Sequence, residues 1–165
     1  MDRLPVLGLA CALVACTAII LASSFALPPI VASHFGISGV ANGWMPRGIY
    51  VAIILFAAVV LPLVVATSTS FAPRIGAVLL KLPNPDYWLA GPRRVATVGA
   101  LRNFGCLLAL CTSVFVTAVH VLVVFANAHP PPVLPLQPFA LAAILFACAV
   151  LFLALSRRRR FRNLE

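Results

Sequence analysis

Acidic side chains are scarce in this sequence. Asp2, Asp86 and Glu165 are the only three carboxylates among 165 residues, and they lie far apart along the chain. A carboxylate pair for acid–base catalysis, or a membrane carboxylate that carries protons or ions, therefore has no candidate. The sequence also has no metalloprotease HExxH, serine-hydrolase GxSxG, phosphate-binding glycine loop or CxxC pair. These absences favour a protein that is not an enzyme and needs no cofactor.

Charged residues of either sign are few, at 9% of the chain, while hydrophobic residues make up 63%. A soluble domain usually carries about 25% charged and about 45–50% apolar residues. Because a core of this size cannot hide so much apolar surface, the lipid bilayer is the expected surrounding. The five cysteines all lie in apolar runs, which favours small buried side chains over disulfides. They are Cys11, Cys16, Cys106, Cys111 and Cys148.

Four long uncharged segments predict an all-α integral membrane protein, with one four-helix domain over residues 1–165. The segments are residues 5–27, 49–66, 104–126 and 139–155. At about 1.5 Å per residue they reach about 26–34 Å, which suits a hydrocarbon core of about 30 Å. The first segment is longer than the apolar part of a cleaved signal peptide, so a retained helix is expected.

The basic residues predict the orientation of these helices. Five of the twelve lie in the tail at 156–165 and five in the loop at 67–103, whereas the loop at 28–48 has only Arg47 and the loop at 127–138 has none. Since Lys and Arg collect on the cytoplasmic side, both termini and the 67–103 loop are expected inside. The other two loops are then outside. No basic patch on a recognisable fold indicates nucleic-acid binding.

The outer loop at 28–48 is rich in glycine, which permits turns with positive φ. Asn42–Gly43 is a tight-turn signal, so we expect a small ordered loop on the outer surface. Trp44 would suit the interfacial aromatic belt or contact a ligand. The other outer loop is proline-rich and is expected to be a stiff, extended connector.

Polar side chains form a stripe along the third helix, within about a third of its circumference. The stripe consists of Asn103, Cys106, Ser113, Thr117, His120 and Asn127. Polar groups in hydrocarbon need partners, so this face should turn inward, and interhelical contact is the commonest use of such groups.

Three histidines belong to the outer side in this topology: His34, His120 and His129. A membrane-embedded metal protein or enzyme that uses His34 and His120 with Zn or Cu is therefore an alternative function. Without that chemistry, His34 orders the loop and His120 is neutral and hydrogen-bonded.

The stretch LPPIVASHFGISGVANGWMPRG, residues 27–48, resembles the bacterial domain of unknown function 1648 family. Members show a Leu-Pro pair, a His-Phe pair, glycine, and a short turn that ends in Gly-Trp and a basic residue. The matching positions are Leu27, Pro28, His34, Phe35, Gly39, Gly43, Trp44 and Arg47. Departures are Ala32 and Ala41 in place of prolines, and Asn42 in place of an aspartate.

The inner stretch NPDYWLAGPRR is similar to a second segment of such proteins, which reads Asn-x-x-Tyr-Trp-Leu followed by Arg-Arg. Its candidate residues are Asn84, Asp86, Tyr87, Trp88, Arg93 and Arg94. The resemblance implies a bacterial cytoplasmic (inner) membrane protein without a general activity. SdpI-like immunity proteins have a similar loop, and they imply immunity or signalling against a secreted toxic peptide.

We therefore expect a binding, sensing or immunity-like function through the outer loop, with Asn42 among its ligand residues. An accessory subunit of a larger membrane complex is an alternative. Because four short helices make a modest core, a homo-oligomer or a membrane protein partner is also expected, beside the bilayer itself.

Overall fold

Within the described part of the chain, the computed structural model has four helices that are long and apolar enough to cross a membrane, as the sequence predicted. The structure describes residues 4–75 and 82–161. The first span is α1 (Leu4–Ser24), and the second consists of α2 (Arg47–Leu55), a π turn (Phe56–Val60) and α3 (Leu61–Ile75). After the short α4 (Pro85–Trp88) come the third span, α5 (Arg93–Asn127), and the fourth, α6 (Leu136–Arg160). The chain is a multi-pass membrane protein.

The helices end where the backbone can no longer continue them, and these points differ from the ends of the apolar runs. α1 stops at Ser24, whose carbonyl would accept from the N–H of residue 28 in a longer helix, and Pro28 has no N–H to donate. α5 has 35 residues and a length of about 52 Å, so it extends well beyond a hydrocarbon core. Much of the predicted inner loop at 67–103 is therefore helical.

The basic tail also differs from the expected loop. Residues 156–160 form the last turns of α6, and Arg157, Arg158, Arg159 and Arg160 all lie in its final turn. Cations at a helix C-terminus are favourable, since the last carbonyl groups carry partial negative charge. Residues 162–165 of the predicted tail lie outside the described residues.

The π turn in the second span has a local cause in Pro62. Proline has no backbone N–H, and its ring clashes with the carbonyl four residues earlier, which here belongs to Ala58. Directly before Pro62, the Leu61 N–H donates to the carbonyl of Phe56, five residues back. The widened turn thus accommodates a buried proline inside an otherwise continuous span.

The loop at 28–48 contains an antiparallel β-hairpin, so the all-α expectation is wrong for this segment. Strand β1 (Ile30–Phe35) pairs with strand β2 (Ala41–Pro46). The turn lies at Gly36–Val40, where Gly36 N donates to Val40 O and Gly39 N donates to Gly36 O. The predicted turn at Asn42–Gly43 is wrong, because both residues lie in β2 and Gly39 supplies the positive φ of 81°.

The central element of the bundle is α5, against which α1, α3 and α6 all pack. Small side chains recur every fourth residue on its buried face, at Gly105, Ala109, Ser113 and Thr117. Such spacing lets helix backbones approach closely in a membrane. The approach is tightest at Gly105, where an added Cβ would overlap the hydroxyl of Thr69 on α3.

The outermost helix is α6, none of whose described residues is buried. It packs mainly against α5, with Phe146 stacked on Phe115 at 4.6 Å between ring centroids. Most of the α6 surface therefore remains available to lipid.

Candidate functional site

One face of the hairpin is exposed and carries its most distinctive side chains. Along β2, Asn42, Trp44 and Pro46 are exposed, whereas the residues between them are half-buried. His34 is exposed on β1, and its Nδ1 is hydrogen-bonded to Oδ1 of Asn42. Because a carbonyl oxygen can only accept, Nδ1 carries the proton, and Nε2 is the ring nitrogen not used in this bond.

A bulge and a glycine bring His34 to this position. The register of the two strands shifts on both sides of His34, which pairs with Gly43. A Cβ at Gly43 would lie 2.9 Å from Cβ of His34, closer than side-chain carbons approach. Gly43 is therefore suited to this position because it leaves space for the side chain of His34 on the paired strand. It does not adopt the positive φ that a turn at Asn42–Gly43 would require.

The tip of the hairpin is held by the proline-rich connector, residues 128–135. Ala41 N donates to Pro132 O, and Leu134 N donates to Gly39 O. At Gly39 a Cβ would lie 2.7 Å from the Leu134 carbonyl oxygen, and the positive φ of 81° also disfavours other residues. The connector, which contains a cis Pro130–Pro131 bond, is thus a third backbone partner of the hairpin.

Asn127, at the end of α5, holds β1 through hydrogen bonds between its side-chain amide and the backbone of Ala32. Its Oδ1 accepts from Ala32 N at 2.8 Å, and its Nδ2 donates to Ala32 O at 3.0 Å and to Val123 O at 2.9 Å. Ala32 is fully buried, so both backbone groups depend on this amide. Asn127 therefore acts like one residue of a neighbouring strand.

An apolar cluster supports the inner face of the hairpin. Phe35 and Met45 pack on a cluster of five buried residues, namely Leu27, Val31, Tyr50, Val123 and Leu134. Arg47, predicted as part of the ligand loop, donates from Nη1 to the Leu27 carbonyl at 3.1 Å. Its side chain therefore ties the start of α2 to the segment that follows α1.

His120 lies fully buried beneath the hairpin and joins three helices. Its Nε2 is 2.9 Å from Ser23 Oγ and its Nδ1 is 3.1 Å from the Tyr50 hydroxyl. Ser23 also donates to the carbonyl of Ile19 at 2.7 Å, which uses its only proton. Nε2–H therefore donates to Ser23, and Tyr50 donates to Nδ1, so that a neutral imidazole satisfies all three side chains.

Below His120, the stripe residues Ser113 and Thr117 lie on the buried face of α5. Thr117 donates to Ser113 O at 2.8 Å, and both residues are buried. Ser113 Oγ is buried with no hydrogen-bond partner among the described residues. Asn103, in contrast, is half-buried near the other end of α5 and is not part of this buried face.

The histidines occupy separate hydrogen-bonded groups. His34 bonds Asn42 on the exposed face, His120 bonds Ser23 and Tyr50 in the core, and His129 bonds the Phe125 carbonyl. In residues 4–75 and 82–161, no group of three or more His, Cys, Asp or Glu side chains could hold a metal ion. The pairing of His34 with His120 is not among the contacts that the structure forms.

The inner motif forms a small aromatic group at the opposite end of the bundle. Asn84 precedes α4 with a φ of 50°, and Asp86 is exposed in the first turn of α4. The Arg93 guanidinium lies 4.0 Å from the centre of the Tyr87 ring, and Trp88 meets Tyr87 and Phe161 edge to face. Arg94 is exposed beside them. This group packs α4 against the start of α5 and against Phe161, the residue that follows α6.

Sequence reasoning missed Ser23, Tyr50 and Leu134. The first two had a signal, since each is a polar residue near the hairpin end of an apolar helix. Leu134 had none, because its contribution is a backbone N–H donated to Gly39.

The comparisons with known proteins concern the hairpin half of the chain. Residues 11–65 match the family described as Domain of unknown function (DUF1648). This match includes most of α1, the hairpin, α2 and the π turn, while α5, the connector and α6 lie outside it. No curated protein and no solved structure matches the chain. The hairpin and its two flanking helices are thus the part of the chain that is similar to DUF1648, and this part is about a third of the sequence.

Proposed function

We propose that the protein recognises a ligand on the outer side of the bacterial cytoplasmic membrane through the exposed face of its hairpin. The observation that carries this proposal is that the two faces of the hairpin differ, since one packs on the bundle and the other is exposed. Phe35, Asn127 and the connector hold the hairpin in place, whereas His34, Asn42 and Trp44 are exposed, and His34 is hydrogen-bonded to Asn42 on the same face. Residues that a fold does not need for its own packing are available for binding.

The chemistry of this face suits a peptide. Trp44 is 57% exposed and can pack on an apolar side chain, while the unused Nε2 of His34 can accept a hydrogen bond. Ile37 at the tip of the turn is fully exposed and adds a further apolar contact. A sensing or immunity-like function against a secreted peptide would need such a rigid, partly apolar surface.

Substitutions on this face test the proposal. His34→Ala and Trp44→Ala are expected to abolish complementation of a deletion strain, with normal abundance on a blot. The melting temperature of each purified variant should stay close to that of the parent, because exposed changes usually cost about 0.5 kcal/mol or less.

The matched controls separate recognition from membrane anchoring. His129→Ala removes another exposed histidine at the same end of the bundle and should complement fully. Trp44→Phe keeps an aromatic ring for the interface but changes the shape of the binding face. Full complementation by His34→Ala at normal abundance would refute the proposed function. Full complementation by Trp44→Phe would mean that Trp44 serves as a membrane anchor and does not contribute its shape to ligand binding.

We also propose that both chain ends lie in the cytoplasm and that the hairpin lies outside. Arg93, Arg94 and the arginines of the last α6 turn cluster where α5 begins and α6 ends, which we call the basic end. A phosphatase reporter inserted after Ile37 or Pro131 should be active, and one inserted after Pro83 should be inactive. Activity after Pro83 alone would reverse the orientation.

A further inference from the structure

The two edges of the hairpin differ in how their backbone groups are used. On the edge of β1 that faces away from β2, both backbone groups of Ala32 are hydrogen-bonded to the side-chain amide of Asn127. Ala32 lies opposite Trp44 in the register of the two strands. Because the backbone groups of Ala32 point away from β2, this is a non-hydrogen-bonded pair of the ladder. The N–H and C=O of Trp44 therefore point away from β1, to the side of β2 that we call the far edge.

The far edge of β2 has an unpaired donor and an unpaired acceptor at Trp44. In the part of the chain that the structure describes, neither backbone group of Trp44 is hydrogen-bonded to a loop, a helix cap or a side chain. Strand β2 packs mainly against β1 and the start of α2, so the far edge is directed away from α5. A strand edge with unpaired N–H and C=O groups is a template for pairing with another extended chain.

The connector demonstrates that the far edge accepts an extended segment. Val133 forms an antiparallel bridge with Val40, through the two backbone hydrogen bonds that hold the tip of the hairpin. The connector residues that precede Val133 are three consecutive prolines, residues 130–132. Since proline has no N–H, the connector cannot continue this pairing toward Trp44. The edge is thus used by the connector at the tip and is left unpaired nearer its base.

We propose that an extended peptide binds as an additional strand on the far edge of β2, with its backbone paired to Trp44. This inference rests on the function proposed for the exposed face of the hairpin, and it specifies how the ligand binds there. The peptide residue opposite Trp44 donates its N–H to the Trp44 carbonyl and accepts a hydrogen bond from the Trp44 N–H. In this mode of recognition, main-chain hydrogen bonds provide affinity and the side chains provide specificity.

The side chains of the hairpin indicate the chemistry of the peptide. Directly opposed residues of neighbouring strands have their side chains on the same face, so one peptide side chain lies beside the Trp44 indole. The indole is 57% exposed, which favours an apolar or aromatic residue at that position. Neither strand of the hairpin contains an aspartate, a glutamate, a lysine or an arginine. We therefore expect the recognised segment to be uncharged, with apolar side chains at alternate positions.

Amide hydrogen exchange of the full-length protein in detergent tests this mode of binding with a synthetic peptide. The peptide alternates valine and threonine and is N-methylated at every threonine, so that only the edge with the valine N–H groups can pair. At about ten times the half-saturating concentration, it should slow exchange of the Trp44 amide about tenfold, because exchange then requires the unbound fraction. The Gly36 amide, which is bonded to Val40 O inside the hairpin, should change by less than about twofold.

The matched control is the same peptide with N-methyl groups on the valines as well. It is slightly more apolar but has no backbone donor on either edge, so it should leave exchange of the Trp44 amide unchanged. Equal protection by both peptides, or protection by neither, would overturn the proposal. So would protection of Trp44 that rises with protein concentration in the absence of peptide, because a second copy would then occupy the edge. If neither peptide protects Trp44 while His34→Ala loses complementation, the strand pairing is rejected and the proposed function stands.

Discussion

Gly105→Ala is expected to lower the melting temperature of the purified protein by roughly 5–10 °C. The new methyl group would overlap Oγ1 of Thr69 and lie 2.7 Å from its Cβ. Rotation of the threonine side chain cannot relieve the second contact, because Cβ does not move with χ1. The hydroxyl is also held by the carbonyls of Val65 and Ala66, at 3.1 and 3.0 Å. The backbones of α3 and α5 must therefore separate, and the close packing beside Gly105 is lost.

The same substitution elsewhere in α5 is the control. Gly99 has no atom within 4 Å of an added Cβ, so Gly99→Ala should be neutral or slightly stabilising, since alanine favours a helix by about 1 kcal/mol over glycine. Thr69→Gly, combined with Gly105→Ala, should restore much of the lost stability. If Gly105→Ala and Gly99→Ala melt at the same temperature, α3 and α5 do not approach each other as described.

Asn127→Leu is expected to release the base of the hairpin from α5. Leucine has a similar volume but leaves both Ala32 N and Ala32 O without the amide that serves them. A buried backbone group that loses its partner costs about 1–3 kcal/mol. Hydrogen exchange of the Ala32 amide should therefore be faster by roughly tenfold or more, because local opening of β1 becomes easier.

The control for Asn127→Leu is Asn103→Leu, which makes the same change near the other end of α5. Its exchange rate at Ala32 should equal that of the parent protein. Exchange should rise in β1 and the adjoining part of β2, while α1 and the centre of α5 keep their protection. Unchanged protection of Ala32 in Asn127→Leu would contradict the role assigned to this amide.

The spanning helices could be predicted because the bilayer imposes a length and an apolar composition that are visible in one segment at a time. Their ends could not be predicted as well, since α5 continues through Arg93, Arg94 and Arg102, which suit a helix but not hydrocarbon. Hydropathy locates the membrane, whereas backbone hydrogen bonding decides where a helix starts.

The hairpin could not be derived from the sequence, because its strands depend on partners far along the chain. Strand β1 lacks a regular alternation of buried and exposed residues, since a bulge interrupts it near His34. The local signal at Asn42–Gly43 indicated the wrong turn, because the connector and Gly39 fix the position of the true one. The stripe on α5 was visible in sequence, but Ser23 and Tyr50 became partners of His120 only through packing.

The attachment of the hairpin has a consequence for the order in which the protein matures during synthesis. Ala32 N donates to the side chain of Asn127, which lies 95 residues later in the chain, and Gly39 O accepts from the N–H of Leu134, which is also synthesised later. During synthesis, α1, both strands and the second span are therefore made well before Asn127 and Leu134, which complete the hydrogen bonding of the strands. Until α5 and the connector have been synthesised, the backbone groups of Ala32 and Gly39 lack these hydrogen-bond partners. The full set of hairpin hydrogen bonds can therefore form only in a chain whose second half has been synthesised.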